Sequence, residues 1–169
     1  MSFEDSISAA TEASGNGVTV DSLRWRGQCV DHYAQIEFLI GTALRDLWNS
    51  GHNVPSQPLF TYRTKIAALR DAVGEAGFYA YKGLHSTLDR LHSACDQRNL
   101  IVHSSGAVSE TPAGDWVWTG CYIPAEREFD LVSRAITQPE AFNLETELRR
   151  TIQSLKSRLS HLKTKVVTE

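Results

Sequence analysis

With 169 residues, 41% of them hydrophobic and 22% charged, the chain has the make-up of a soluble globular protein with room for a proper core, and one domain is expected. No apolar run is long enough to cross a bilayer, and the first residues lack the basic start and apolar stretch of a secretory signal, so a cytoplasmic location is expected. A formal net charge of −3 gives no global pull on nucleic acid, which leaves only a local cationic patch to attract it.

Residues 1–20 are rich in Ser, Ala, Thr, Glu and Gly without a sustained period and read as a flexible tail. Asp21 or Ser22 can cap a long helix reaching about Ser50, with Tyr33, Ile36, Ile40, Leu44 and Leu47 on its apolar face and Gly51 as its stop. Glu37 falls on that same face, where a lone carboxylate is costly to bury. Residues 51–60, with Pro55 and Pro58, form a loop. A second helix follows, in which Tyr62, Ile66, Leu69 and Val73 recur at helical spacing and Gly74 and Gly77 mark the end. Tyr79 and Tyr81 lie beside the start of a third helix, either as stacking platforms for a base or as seals on the core.

Leu84, Leu88, Leu91 and Cys95 give the third helix its buried stripe, and Arg98 and Val102 continue that register. A guanidinium on an apolar stripe requires a carboxylate, water or a bound anion. Beside that stripe, turned by roughly 100°, runs a second one made of His85, Asp89, His92, Asp96, Asn99 and His103. In an ideal helix Arg98 points about 140° away from His103, so a loosened last turn or a second copy of the helix is needed to bring the two together.

Ser104-Ser105-Gly106 breaks the helix. Asp115 to Ile123 then alternates like a strand, with Trp116 and Trp118 on one face, and Glu128 to Ser133 reads as a second strand, so a β-hairpin insertion is expected within residues 104–142. Asn143 can cap the last helix, with Glu145 and Glu147 in its first turn. Leu144, Leu148, Ile152, Leu155, Leu159, Leu162 and Val166 form a nearly heptad stripe that needs a partner helix. Arg149, Arg150, Lys156, Arg158, Lys163 and Lys165 lie between them, as a solvated exterior or, through Arg149 and Lys156, as a contact for an RNA backbone. The expected fold is mainly α: a four- to five-helix bundle over residues 21–169, with the hairpin between the third and last long helices. Cys29, Cys95 and Cys121 are odd in number and far apart, which speaks for reduced thiols against a disulfide framework or a zinc ribbon.

The order Arg98-Asn99-x-x-x-His103 resembles the Arg-Asn-x-x-x-His motif of the HEPN (higher eukaryotes and prokaryotes nucleotide-binding) superfamily, and the resemblance covers most of residues 21–165. It implies an all-helical bundle and a metal-independent endoribonuclease of a toxin or antiphage system, with no cofactor, RNA as substrate and a cognate antitoxin as partner. It also implies a homodimer whose two motifs meet across the interface. Within it, His103 is the general acid or base, Arg98 stabilises the phosphate, and Asn99 orients the imidazole or touches the phosphate, leaving a 2′,3′-cyclic phosphate end. The chemistry suits the residues: the 2′-hydroxyl is RNA's own nucleophile and needs a base, a positive charge on the phosphorane and a donor to the leaving oxygen.

Glu37 either pairs with Arg98 and fixes its orientation or reaches water at the edge of its face. Two other functions compete. His85, Asp89, His92 and Asp96 have spacings that can hold a metal ion, although one helix rarely supplies every ligand. Alternatively the chain is a non-catalytic helical interaction module, in which Arg98 anchors Glu37 and His103 caps the end of its helix.

Overall fold

In a computed structural model of the chain, residues 16–55, 61–75, 82–124 and 131–166 are described. Their elements are α1 (Asn16–Asn49), α2 (Tyr62–Glu75), α3 (Lys82–Ser93), α4 (Cys95–His103), β1 (Ser105–Glu110), β2 (Trp116–Tyr122), β3 (Val132–Thr137) and α5 (Gln138–Val166). They divide into two units, one built from residues 16–31 together with the described part of 97–147, the other from the described part of 32–96 together with residues 148–166. The architecture is mainly helical with a small antiparallel sheet. No helix among the described residues is long and apolar enough to cross a membrane.

The second unit follows the helical periodicity closely. Ile36, Ile40, Leu44 and Leu47 of α1, Ile66, Leu69 and Val73 of α2, Leu84, Leu88 and Leu91 of α3, and Leu148, Ile152, Leu155, Leu159 and Leu162 of α5 are all buried. Polar links tie the helices together: Lys65 to Glu37 at 2.6 Å, Arg70 to Asp89 at 3.6 Å and Arg63 to Asp96 at 2.8 Å, with Tyr33 and Tyr62 packed edge to face. At Gly83 of α3 an added Cβ would meet the guanidinium of Arg158 on α5, the flexible end of a side chain that can move aside.

The helix expected to run unbroken to His103 is instead two. Ala94 forms a turn, its N–H bonded to Arg90 O at 3.0 Å, and α4 begins afresh at Cys95. The buried positions then pass to Leu100 and Ile101, while Arg98 and Val102 are only half-buried. Arg98 therefore does not continue the core stripe of α3.

The first unit departs further from the sequence reading. α1 starts at Asn16, within the expected tail, and Ser22 is fully buried inside the helix with its hydroxyl donating to Thr19 O at 3.0 Å, so it is no cap. Packing of the Trp25 and Cys29 face outweighs the weak helix propensity of the residues before it. Residues 1–15 lie outside the described ones.

The expected hairpin is a three-stranded meander in the order β1-β2-β3, with Gly106 opposite Gly120 and Trp118 opposite Ile136. β1 went unseen because Ser-Gly-Ala-Val-Ser-Glu carries the residues of a loop. The third strand lies at Val132–Thr137, shifted from the expected Glu128 to Ser133, of which residues 128–130 are outside the described ones.

α5 begins at Gln138, five residues before the expected Asn143 cap. Thr137 and Glu140 form the backward half of a capping box, both the Thr137 N–H and its hydroxyl donating to Glu140 Oε2 at 2.8 and 2.9 Å, and Pro139 occupies the first turn, where its missing N–H costs nothing. The bond from the Thr137 N–H holds the Glu140 carboxyl below the usual carboxylate range. Glu145, expected in the first turn, lies in the second and is buried.

The core of this unit is aromatic. Trp25 meets Trp116 at 5.4 Å and Trp118 at 5.8 Å between ring centroids, and its indole N–H donates to Ala141 O at 2.9 Å. The Trp118 ring lies across the glycine pair Gly106 and Gly120, and a Cβ on either would collide with it.

Candidate functional site at the end of α4

Arg98, Asn99 and His103 sit on α4, whose last turn keeps its winding: Ser104 N–H bonds to Leu100 O at 3.1 Å. Arg98 Nη1 nevertheless reaches His103 Nε2 at 2.7 Å and Asn99 Oδ1 at 3.2 Å. The two side chains expected to need a loosened turn or a second copy thus meet within one chain. Backbone angle sets where Cβ points, but the long arginine side chain spans the gap to the terminal histidine.

The pair's protonation follows from its donors. A guanidinium has no acceptor, so Nε2 must accept, and the imidazole is neutral with its proton on Nδ1. Burial first, and then the Arg98 charge, hold His103 below its ordinary value of 6.5. Part of the imidazole is covered, yet the residue is exposed. The result is a permanent cation and a neutral base side by side, open to solvent.

A residue that the sequence did not signal holds this helix end. Arg26, on α1, donates from Nε to Ile101 O at 2.9 Å and from Nη2 to Ser104 O at 2.6 Å, and its guanidinium lies over the Trp118 ring at 5.5 Å from the centroid. It supplies donors to carbonyls at the end of a helix, a place that favours a cation.

The other predicted site residues belong to the second unit or fall outside the described residues. Glu37 accepts from Lys65 in the second unit, a partner that the sequence reading did not consider. Arg149 and Lys156 are exposed on the second unit's part of α5, and Tyr79 and Tyr81 are outside the described residues. Along the other α3 and α4 stripe, Asp89 and Asp96 face Arg70 and Arg63, and among the described residues no group of three or more His, Cys, Asp or Glu side chains is placed to hold a metal ion. The three cysteines are free thiols; burial, and next the Glu145 charge, push Cys29 up to about 12, too high for a nucleophile at neutral pH. Compared with family models, with curated proteins and with solved structures, the chain matches none.

Proposed function

We propose that the chain is a metal-independent endoribonuclease of the HEPN type, and the observation that carries this reading is the 2.7 Å contact between Arg98 and the exposed His103, beside Asn99. A phosphodiester arriving there offers Arg98 a better acceptor than a neutral ring, because a charge-assisted bond to phosphate is the stronger one. Nε2 is then released to take the proton of the adjacent 2′-hydroxyl. O2′ attacks phosphorus, Arg98 offsets the charge on the equatorial oxygens, and the P–O5′ bond breaks to leave a 2′,3′-cyclic phosphate. The 5′ oxygen departs with a proton from an imidazolium, either that of His103 or that of a second copy.

The same reading includes a homodimer that pools two such pairs, RNA as substrate, a cytoplasmic setting, and a toxin or antiphage role with a cognate antitoxin. The rival reading is a helical interaction module of the same fold. It is favoured by the fact that the His103 Nε2 lone pair already accepts from Arg98, so the two side chains satisfy each other without a ligand.

Digestion of a defined RNA by the wild type, Arg98→Ala and His103→Ala decides between them. The nuclease reading expects each substitution to lower cleavage by about 10²–10⁴-fold, and a chelator to change nothing. Equal cleavage by all three proteins would mean a contaminant, and no cleavage by the wild type would leave the interaction module.

A further inference from the structure

We propose that Arg26 is a positioning residue for the Arg98 and His103 pair, acting as a clamp that fixes the end of α4 from α1; the proposal deepens the ribonuclease reading and rests on it for its kinetic arm. The last carbonyls of a helix have no partner within the helix, and a helix end held only by water frays. His103 is the last residue of α4, so fraying there moves the imidazole before anything else.

Arg26 spans the end of this turn from both sides of His103. Its two nitrogens bond the carbonyls of Ile101 and Ser104, two residues before the histidine and one after it. The fork is rigid and planar, so the two bonds fix the direction of the turn as well as its position. The guanidinium is itself held. Its face lies over Trp118, whose ring is seated on Gly106 and Gly120 and packed against Trp25, the neighbour of Arg26 in sequence. The aromatic core thereby sets where His103 stands, without any aromatic side chain touching substrate.

Lysine at position 26 keeps the charge over Trp118 but lacks the fork, so Arg26→Lys separates charge from geometry. Arg26→Gln removes the charge. In full-length protein, ¹⁵N chemical shifts of the His103 imidazole report which nitrogen carries the proton: Nδ1 in the wild type, with Nε2 as acceptor. Both variants are expected to lose that pattern and show a mixture of tautomers, while circular dichroism stays unchanged. RNA cleavage is expected to fall by about a hundredfold in kcat with little change in KM, the scale of a misplaced but intact catalytic group.

The proposal is overturned if folded Arg26→Gln keeps the wild-type imidazole shifts. If that variant does not fold, Arg26→Lys decides in the same way. Should the wild type cleave no RNA while the shifts still change in the variants, the clamp stands and the ribonuclease reading alone is lost.

Discussion

The two units solve the problem of burying helices with different materials. The second fills its interior with Leu and Ile at helical spacing, so each side chain is one of many similar knobs. The first uses Trp25, whose indole donates to Ala141 O, Trp118, seated on a glycine pair, and Trp116, packed against Trp25. An aliphatic stripe tolerates replacement by a side chain of similar volume, whereas an aromatic cluster specifies one arrangement. The candidate site belongs to the specified unit, and a catalytic pair needs a fixed frame more than it needs a large core.

The sharpest way to break this contrast is to cut one core residue in each unit. Trp118→Ala is expected to cost about 3–5 kcal/mol by denaturant unfolding, and Leu88→Ala about 2–5 kcal/mol. The gentler pair is more telling: Leu88→Met should cost less than about 1.5 kcal/mol and leave the His103 resonances in place, while Trp118→Phe should shift them. If Leu88→Met moves His103 as far as Trp118→Phe does, the distinction between the units fails.

Next in size is Gly120→Ala. Its methyl would meet the Trp118 ring and the Ser104 hydroxyl, and the expected cost of overpacking is about 1–3 kcal/mol, read as a lower unfolding midpoint.

The Glu37 and Lys65 link of the second unit is weaker. At 26% and 27% exposure the two side chains are partly wetted, so a double-mutant cycle with Glu37→Gln and Lys65→Met should give a coupling of about 0.2–1 kcal/mol that shrinks with salt. A coupling that salt leaves unchanged would mean a drier pair than the geometry indicates.

The smallest effect is protonic. Because the folded chain holds His103 below 6.5, the unfolded chain binds its proton first as the pH falls. The contribution to stability is complete above that value and is lost as the pH drops from 6.5 through the lowered folded value. Cleavage that needs the neutral imidazole should therefore persist below pH 6.5. In Arg98→Ala, NMR titration should place the His103 midpoint higher, but only part of the way back, because burial is the larger cause. A full return to 6.5 would assign the whole shift to Arg98.

Sequence alone determined the helical faces. Ile36, Ile40, Leu69, Leu84, Leu88, Leu155 and Leu159 were legible as core because a helix repeats every 3.6 residues and apolar area must leave water. It singled out Arg98, Asn99 and His103 by motif resemblance, while ideal helical spacing set Arg98 about 140° away from His103. Three other features were decided only by the tertiary structure: the break at Ala94, the first strand, and the clamp by Arg26 on carbonyls 75 and 78 residues away. The strand and the clamp share a reason: each depends on partners further along the chain. A loop-like hexapeptide becomes a strand when Trp118 needs a seat, and an arginine becomes a helix cap when a distant helix ends beside it.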